Sequence, residues 1–179
     1  MDYVLFDTAI GACGLAWTER GLARMQLPGA DRGATERRFA LVPGNRVAPQ
    51  VPPPIAAVVR CLQAHMAGQS QDFSAVDIDL DSVEPAHRRV YAIARTIPWG
   101  RTMSYGDLAA SAGMPGAARE VGVALSRNPL AIIIPCHRVV GSDDKLGGFS
   151  AFGGADTKRR LLELEGARPG AAPGQGALF

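Results

Sequence analysis

Apolar and polar residues alternate along the chain first with a period of two and later with a period near four. Residues 3–8, 13–18 and 22–27 read as three short strands, with Glu19-Arg20-Gly21 as a hairpin-like turn between the last two. Residues 28–54 hold many Pro, Gly and Arg, which predicts a loop with a short helix near 35–41. Three prolines at 52–54 lead into residues 55–66. There Ile55, Val58, Val59, Leu62 and Met66 fall at helical spacing, and Gly68 offers a stop. Residues 73–80 alternate again like an edge strand. They carry Asp77 and Asp79, with Asp81 on the same face, as solvated protection of that edge.

Beyond a boundary near residues 81–86 the pattern turns helical. Residues 85–97 form an amphipathic helix, and Ile97-Pro98-Trp99-Gly100 a turn. Ser104-Tyr105-Gly106-Asp107 opens the next helix in the manner of a capping box. Gly113-Met114-Pro115-Gly116 breaks it, a second helix runs over about 117–127, and Asn128-Pro129 ends that one. Two short helices across a tight Gly-containing break make a helix-turn-helix pattern. A last helix covers 157–165. The Gly/Ala/Pro-rich residues after 167 read as a mobile tail.

Composition narrows the function classes. Hydrophobic residues make up 47% of the 179, enough for a real core. No apolar run approaches the ~20 residues that span a bilayer, and the first residues lack the basic stretch of a signal peptide. A cytoplasmic protein is expected, with no membrane partner. Three widely spaced cysteines, an odd number, predict free thiols in a reducing compartment. The net charge of +2 hides an asymmetry. Residues 1–84 carry 7 basic and 10 acidic residues, and residues 85–179 carry 12 and 7. A basic second half fits a polyanionic partner, although such a bias also arises by scatter.

The helix over 117–127 can bury Ala117, Val121, Ala124 and Leu125. Ala118, Arg119, Gly122 and Ser126 lie elsewhere on it, one long cation among very small residues. Small side chains let a helix backbone approach a duplex closely. The scarcity of bidentate base readers suits a minor-groove contact of weak sequence preference, and speaks against a transcription factor. A plain packing helix is the other reading.

Cys136 follows a short apolar run and stands beside His137 and Arg138. Such neighbours lower a thiol pKa, and the thiolate is the nucleophile. A Cys-His pair by itself reads as readily as an inert buried thiol or part of a Cys-His hydrolase. On the last helix Lys158, Leu161, Leu162 and Glu165 share the core-facing side, while Glu163 is placed to pair with Arg159 on the surface. Glu165 is therefore the carboxylate that can reach an interior His137 and orient it. Cys61 and His65 share a helix face at i, i+4, but without further close ligands they make no zinc site. No metal and no cofactor are expected.

PCHRV at 135–139, with RNPLAIIIPCHRVVG around it, TMSYGDLA, AAREVG, GGFS and TKRRLLELEG, resembles the O6-alkylguanine-DNA alkyltransferases (methylated-DNA–protein-cysteine methyltransferases). The resemblance covers about residues 85–166. It implies an α/β N-terminal domain over 1–84, a small ribonuclease H-like antiparallel sheet plus helix. A mostly helical, winged helix-turn-helix-like DNA-binding domain over 85–168 follows, then a tail over 169–179. It implies a monomer that binds double-stranded alkylated DNA in the minor groove and flips the damaged nucleotide out. The alkyl group of O6-alkylguanine, and of O4-methylthymine, would pass irreversibly to Cys136. A lesion sensor of similar fold would lack that cysteine.

On the matching positions, His137 deprotonates Cys136 through a water and Glu165 orients His137. Tyr105 helps rotate the target phosphate and contacts the base, Arg119 fills the vacated place, and Asn128 is the hinge after the recognition helix. Ala118, Gly122 and Arg138 belong to the DNA face. Val139 with the Cys136 backbone holds the guanine amino group, Ser150 donates to O6, Leu125 forms a pocket wall, and Lys158 lies near the pocket. Between Ser150 and Lys158 the chain reads AFGGADT, longer than in human-type members, so this loop departs from the family pattern.

Overall fold

Three strands fold back on one another at the start of the chain: β1 (Asp2–Thr8), β2 (Gly11–Thr18) and β3 (Gly21–Gln26). The computed structural model describes residues 1–142 and 145–167, so the tail expected over 169–179 lies outside the described residues. β1 and β2 are antiparallel from Asp2↔Trp17 to Thr8↔Gly11. After α1 (Arg32–Ala40), β4 (Arg46–Val47) joins β1 in parallel, giving the order β3-β2-β1-β4. Asp31 caps α1 by accepting the Ala34 N–H at 2.6 Å.

β2 is buried on both faces. Ala16 meets Tyr3 and Phe39, whose rings stack at 5.1 Å. Gly14 leaves room for Phe39, since a Cβ there would lie 2.2 Å from its ring. Cys13, Leu15 and Trp17 point the other way into the main core, beside Leu62 and Met66 of α2 (Pro53–Met66). Each such fully buried large apolar side chain contributes roughly 2 kcal/mol.

The expected strand over 73–80 does not form. Arg95 draws the carbonyls of Phe73, Ser74 and Val76 onto one guanidinium nitrogen at 2.8, 3.0 and 3.0 Å, which curls the segment. Only a single bridge, Leu22↔Ile78, reaches β3. Nor is Asp79 a solvated acid: it accepts the Thr18 hydroxyl at 2.7 Å and pairs with Arg20, which also holds Asp81.

The second half is helical: α3 (Pro85–Ala94), α4 (Tyr105–Ser111) and α5 (Ala118–Ser126) pack against one another. α3 stops three residues before the expected end, because Pro98 disfavours helix at Ile97. β5 (Met103–Ser104) precedes α4 and pairs in parallel with β6 (Val139–Val140). Ser104 caps α4 by accepting the Asp107 N–H at 3.0 Å. α6 (Gly154–Leu164) closes the described chain, with Arg159 paired to Asp156 at 2.7 Å rather than placed on Glu163.

One apolar core crosses the boundary near residue 84. It joins Leu15, Leu22 and Leu62 to Val90, Leu108 and Val121. Met25 N–H also donates to Pro129 O at 2.8 Å, tying β3 to the segment after α5. Among the described residues no helix is long and apolar enough to cross a membrane.

Candidate active site

The segment that carries Cys136 is folded tightly after α5. Pro129 disfavours helix at Asn128, so the chain leaves α5 there. It then turns back, with Ile134 N–H on Leu130 O at 2.8 Å and a bridge between Ala131 and Ile134. Ile132 has φ 71°, a left-handed conformation that costs a β-branched residue about 1–2 kcal/mol. Burial of Ile132, Ile133 and Ile134 offsets that strain. A short 3-10 turn, Cys136–Arg138, follows and runs into β6.

Asn128 is bonded on every side of this turn. Its Nδ2 donates to Ile134 O at 2.8 Å and to Cys136 Sγ at 3.2 Å, and its Oδ1 accepts Leu130 N–H at 2.9 Å. Cys136 is 8% exposed. The expectation of a lowered thiol pKa is overturned. Burial pushes the Cys136 thiol above the ordinary cysteine value, and the Asn128 hydrogen bond and the Lys158 charge only partly offset this. The thiol therefore rests protonated and needs a base.

His137 is wholly buried behind it. Its Nε2 lies 2.8 Å from Glu165 Oε1. A carboxylate accepts, so Nε2 carries the proton and Nδ1 has its lone pair free, an assignment that rests on this bond. Nδ1 has no protein partner among the described residues. Burial holds the His137 pKa below its ordinary value, against the pull of Glu165, which keeps the ring neutral. For Glu165, burial alone would raise the pKa. Hydrogen bonds from His137 and Arg138, with the His65 imidazole close by, overcome this and hold the carboxyl far below the usual range.

A cavity of about 510 Å³ opens over the thiol. Cys136 lies at its base, and Ala118, Arg119, Gly122 and Leu125 of α5 form one wall. Tyr105, Phe149 and Ser150 line the rest, so seven residues expected at the site from the sequence meet here. Burial, and then the nearby Cys136, push the Tyr105 phenol above its ordinary value, so it stays protonated. Gly147, at φ +68°, lets the loop pass close to this ring; a Cβ there would lie 3.2 Å from the Tyr105 hydroxyl. A larger cavity of about 1000 Å³ lies between Trp17, Arg20, Pro54 and Ile55, but neither cysteine nor histidine lines it, so the chemistry is not there.

Other expected residues have different duties. Arg138, expected on the DNA face, is turned inward: Nε and Nη2 bond Glu165 at 2.8 and 2.9 Å, and Nη1 bonds Ile97 O at 2.6 Å. Val139 is fully buried, and its carbonyl accepts Lys158 Nζ at 2.6 Å rather than facing the cavity. Lys158 is itself buried, with Nζ 5.6 Å from the Tyr105 ring centre, and burial lowers its pKa to about 8. Asn128 is engaged with the protein itself and with the thiol.

The sequence reading missed His65 as a neighbour of the site. His65 Nε2 lies 3.2 Å from Glu165 Oε1. The available signal was its place beside Leu62 and Met66 on the buried face of α2, which weighing it with Cys61 as a metal ligand overlooked. His65, His137 and Glu165 lie within metal-binding distance of one another. Glu165 is already neutralised by Arg138, so a cation there would stand against a guanidinium, and the set does not fit a metal.

Comparison with known proteins gives a family match over the second half of the chain and relatives over most of its length. The family described as 6-O-methylguanine DNA methyltransferase, DNA binding domain, matches residues 85–167. A methylated-DNA–protein-cysteine methyltransferase of Mycolicibacterium paratuberculosis is 46% identical over 165 residues, covering 92% of each chain. One of Mycobacterium leprae is 41% identical over 159 residues, covering 89% of this chain and 88% of that one. Among solved structures, an OGT of Mycobacterium tuberculosis in complex with DNA superposes with a TM-score of 0.76 at 37% identity, covering 93% of each chain.

Proposed function

The chain belongs to the methylated-DNA–protein-cysteine methyltransferase family, and on that premise we propose that Cys136 takes the alkyl group from O6-alkylguanine in DNA and keeps it. The observation that carries this reading is the thiol at the base of a cavity walled by α5, with Asn128 on its sulfur and the His137–Glu165 pair behind. Residues 1–84 are a ribonuclease H-like sheet-and-helix unit, and residues 85–168 a winged helix-turn-helix-like unit that carries the reaction. The protein works in the cytoplasm as a monomer.

α5 enters the minor groove of double-stranded DNA with Ala118 and Gly122 against the backbone. Arg119, exposed at the cavity rim, takes the place of the nucleotide that swings out. Tyr105 and Ser150 meet the flipped base, and Leu125 packs beside it. Sγ gives its electron pair to the alkyl carbon, so a C–S bond forms as the C–O6 bond breaks. The thiol proton passes through a water to His137 Nδ1. The resulting imidazolium is stabilised by Glu165, which Arg138 holds in place. The electrons of the broken bond return to guanine, whose ring accepts a hydrogen bond from the protonated Tyr105 phenol. Lys158 supplies positive charge near the sulfur during the transfer. Nothing removes the thioether, so each molecule reacts once. O4-methylthymine, with the same alkyl–oxygen bond, reacts by the same displacement.

Incubation with an oligonucleotide carrying O6-methylguanine, followed by peptide mass spectrometry, tests this. One methyl group per protein is expected, on the peptide containing Cys136. Loss of the DNA methyl with Cys136 unmodified would overturn the mechanism.

A further inference from the structure

Glu165 Oε1 serves three partners, and one of them comes from the first half of the chain. His137 Nε2 and Arg138 Nη2 reach it at 2.8 and 2.9 Å, and His65 Nε2 from α2 at 3.2 Å. His65 is 2% exposed. Trp99 holds its ring edge-on at 4.7 Å between centroids, and Phe73 lies tilted at 5.5 Å. The contact with Glu165 is close but lies off the ring N–H direction, and neither nitrogen of His65 has an aligned hydrogen-bond partner. Burying an imidazole in this way costs about 1–3 kcal/mol. An apolar side chain would fill the same space between two aromatic rings at lower cost. What the histidine adds is its polar contact with the carboxylate.

The carboxylate is otherwise held from the second half of the chain. Arg138 bonds both oxygens, and Gly100 N–H approaches Oε2 at 3.5 Å. Among the described residues, the titratable and charged groups gathered at His65 are Glu165 and, across it, His137 and Arg138. His65 is thus the point at which α2 touches the pair behind the thiol.

We infer that His65 is a positioning residue for alkyl transfer: from α2 it fixes the Glu165 oxygen that orients His137, and so couples the docking of the N-terminal half to the base. This rests on the reading of His137 and Glu165 as the base and its orienter. Glu165 turned away from His137 would leave the imidazole free to rotate and its cation unsupported. His65 approaches the same Oε1 that His137 and Arg138 bond.

The test compares His65→Leu, which fills the space without a polar atom, with His65→Gln, whose amide nitrogen can still approach Oε1. Transfer from O6-methylguanine DNA and iodoacetamide alkylation of Cys136 are followed from pH 5.5 to 9, with urea unfolding alongside. His65→Leu is expected to slow transfer about tenfold and displace the acid limb of both profiles, and His65→Gln to recover most of the loss. In a Glu165→Gln background, His65→Leu is expected to slow transfer no further, because both act through one carboxylate. A folded His65→Leu protein with the wild-type acid limb, or additive slowing in the double variant, would overturn the inference. Should His65→Leu not fold, His65→Asn, whose amide is too short to reach Oε1, takes its place with the same outcomes. A wild-type rate in Glu165→Gln alone would instead remove the underlying reading of the pair.

Discussion

Arg138 and Glu165 meet inside the protein through two parallel bonds, Nε to Oε2 at 2.8 Å and Nη2 to Oε1 at 2.9 Å, with the carboxylate 1% and the guanidinium 8% exposed. A cation that the sequence puts next to the nucleophile is therefore consumed by a carboxylate 27 residues later. Breaking one side of a buried pair leaves the other charge unpaired and costs about 3–5 kcal/mol. Arg138→Met should lose about that much in urea unfolding. The salt dependence of DNA binding should keep its slope, since no phosphate contact is lost. A shallower slope with unchanged stability would return Arg138 to the DNA face.

Arg119 differs in being exposed at the rim of the cavity. If it holds the gap left by a flipped nucleotide, its loss matters only where there is a stack to open. Extruding a base costs a few kcal/mol, so Arg119→Ala should slow repair in a duplex by about tenfold or more and leave transfer from a free-base substrate nearly unchanged. Equal slowing of both would count against flipping.

His137 makes stability depend on pH. Its folded-state pKa is depressed by burial, below the ordinary value of 6.5. Between the two values the unfolded chain binds more protons, so stability is full above pH 6.5 and falls as the pH drops through this window, by up to ~1.4 kcal/mol per pH unit. Glu165, also depressed, adds a second loss below its ordinary value of 4.5. Urea unfolding from pH 7.5 to 5 should show the first slope, and His137→Gln should flatten it. A flat wild-type profile would mean that His137 is not held neutral.

Lys158, with a pKa lowered to about 8, loses its charge just above neutrality. Its positive charge favours the Cys136 thiolate. The transfer rate should therefore show an alkaline limb near pH 8. Lys158→Met should lower the plateau about tenfold and remove that limb. An unaltered limb in Lys158→Met would assign it to another group.

What was legible in the sequence is what is local. Residues 135–139 place a cysteine, the histidine proposed as its base and an arginine in one turn, and the spacing from Lys158 to Glu165 selects the core-facing carboxylate. The small residues of α5 are also contiguous in the chain. Helix period and capping residues therefore predict them, and the cavity over Cys136 gathers Tyr105, Ala118, Arg119, Gly122, Leu125 and Ser150. The sequence by itself determined which groups are the candidates for the chemistry and on which elements they ride. Tertiary structure alone decided their states. Whether Cys136 rests as thiol or thiolate depends on burial, which no adjacent residue encodes. The curl of residues 73–80 depends on Arg95 at the end of α3, the inward turn of Arg138 on Glu165, and the contact of His65 on the approach of α2 to Glu165. Desolvation and long-range contact set these outcomes, and neither leaves a periodic trace along the chain.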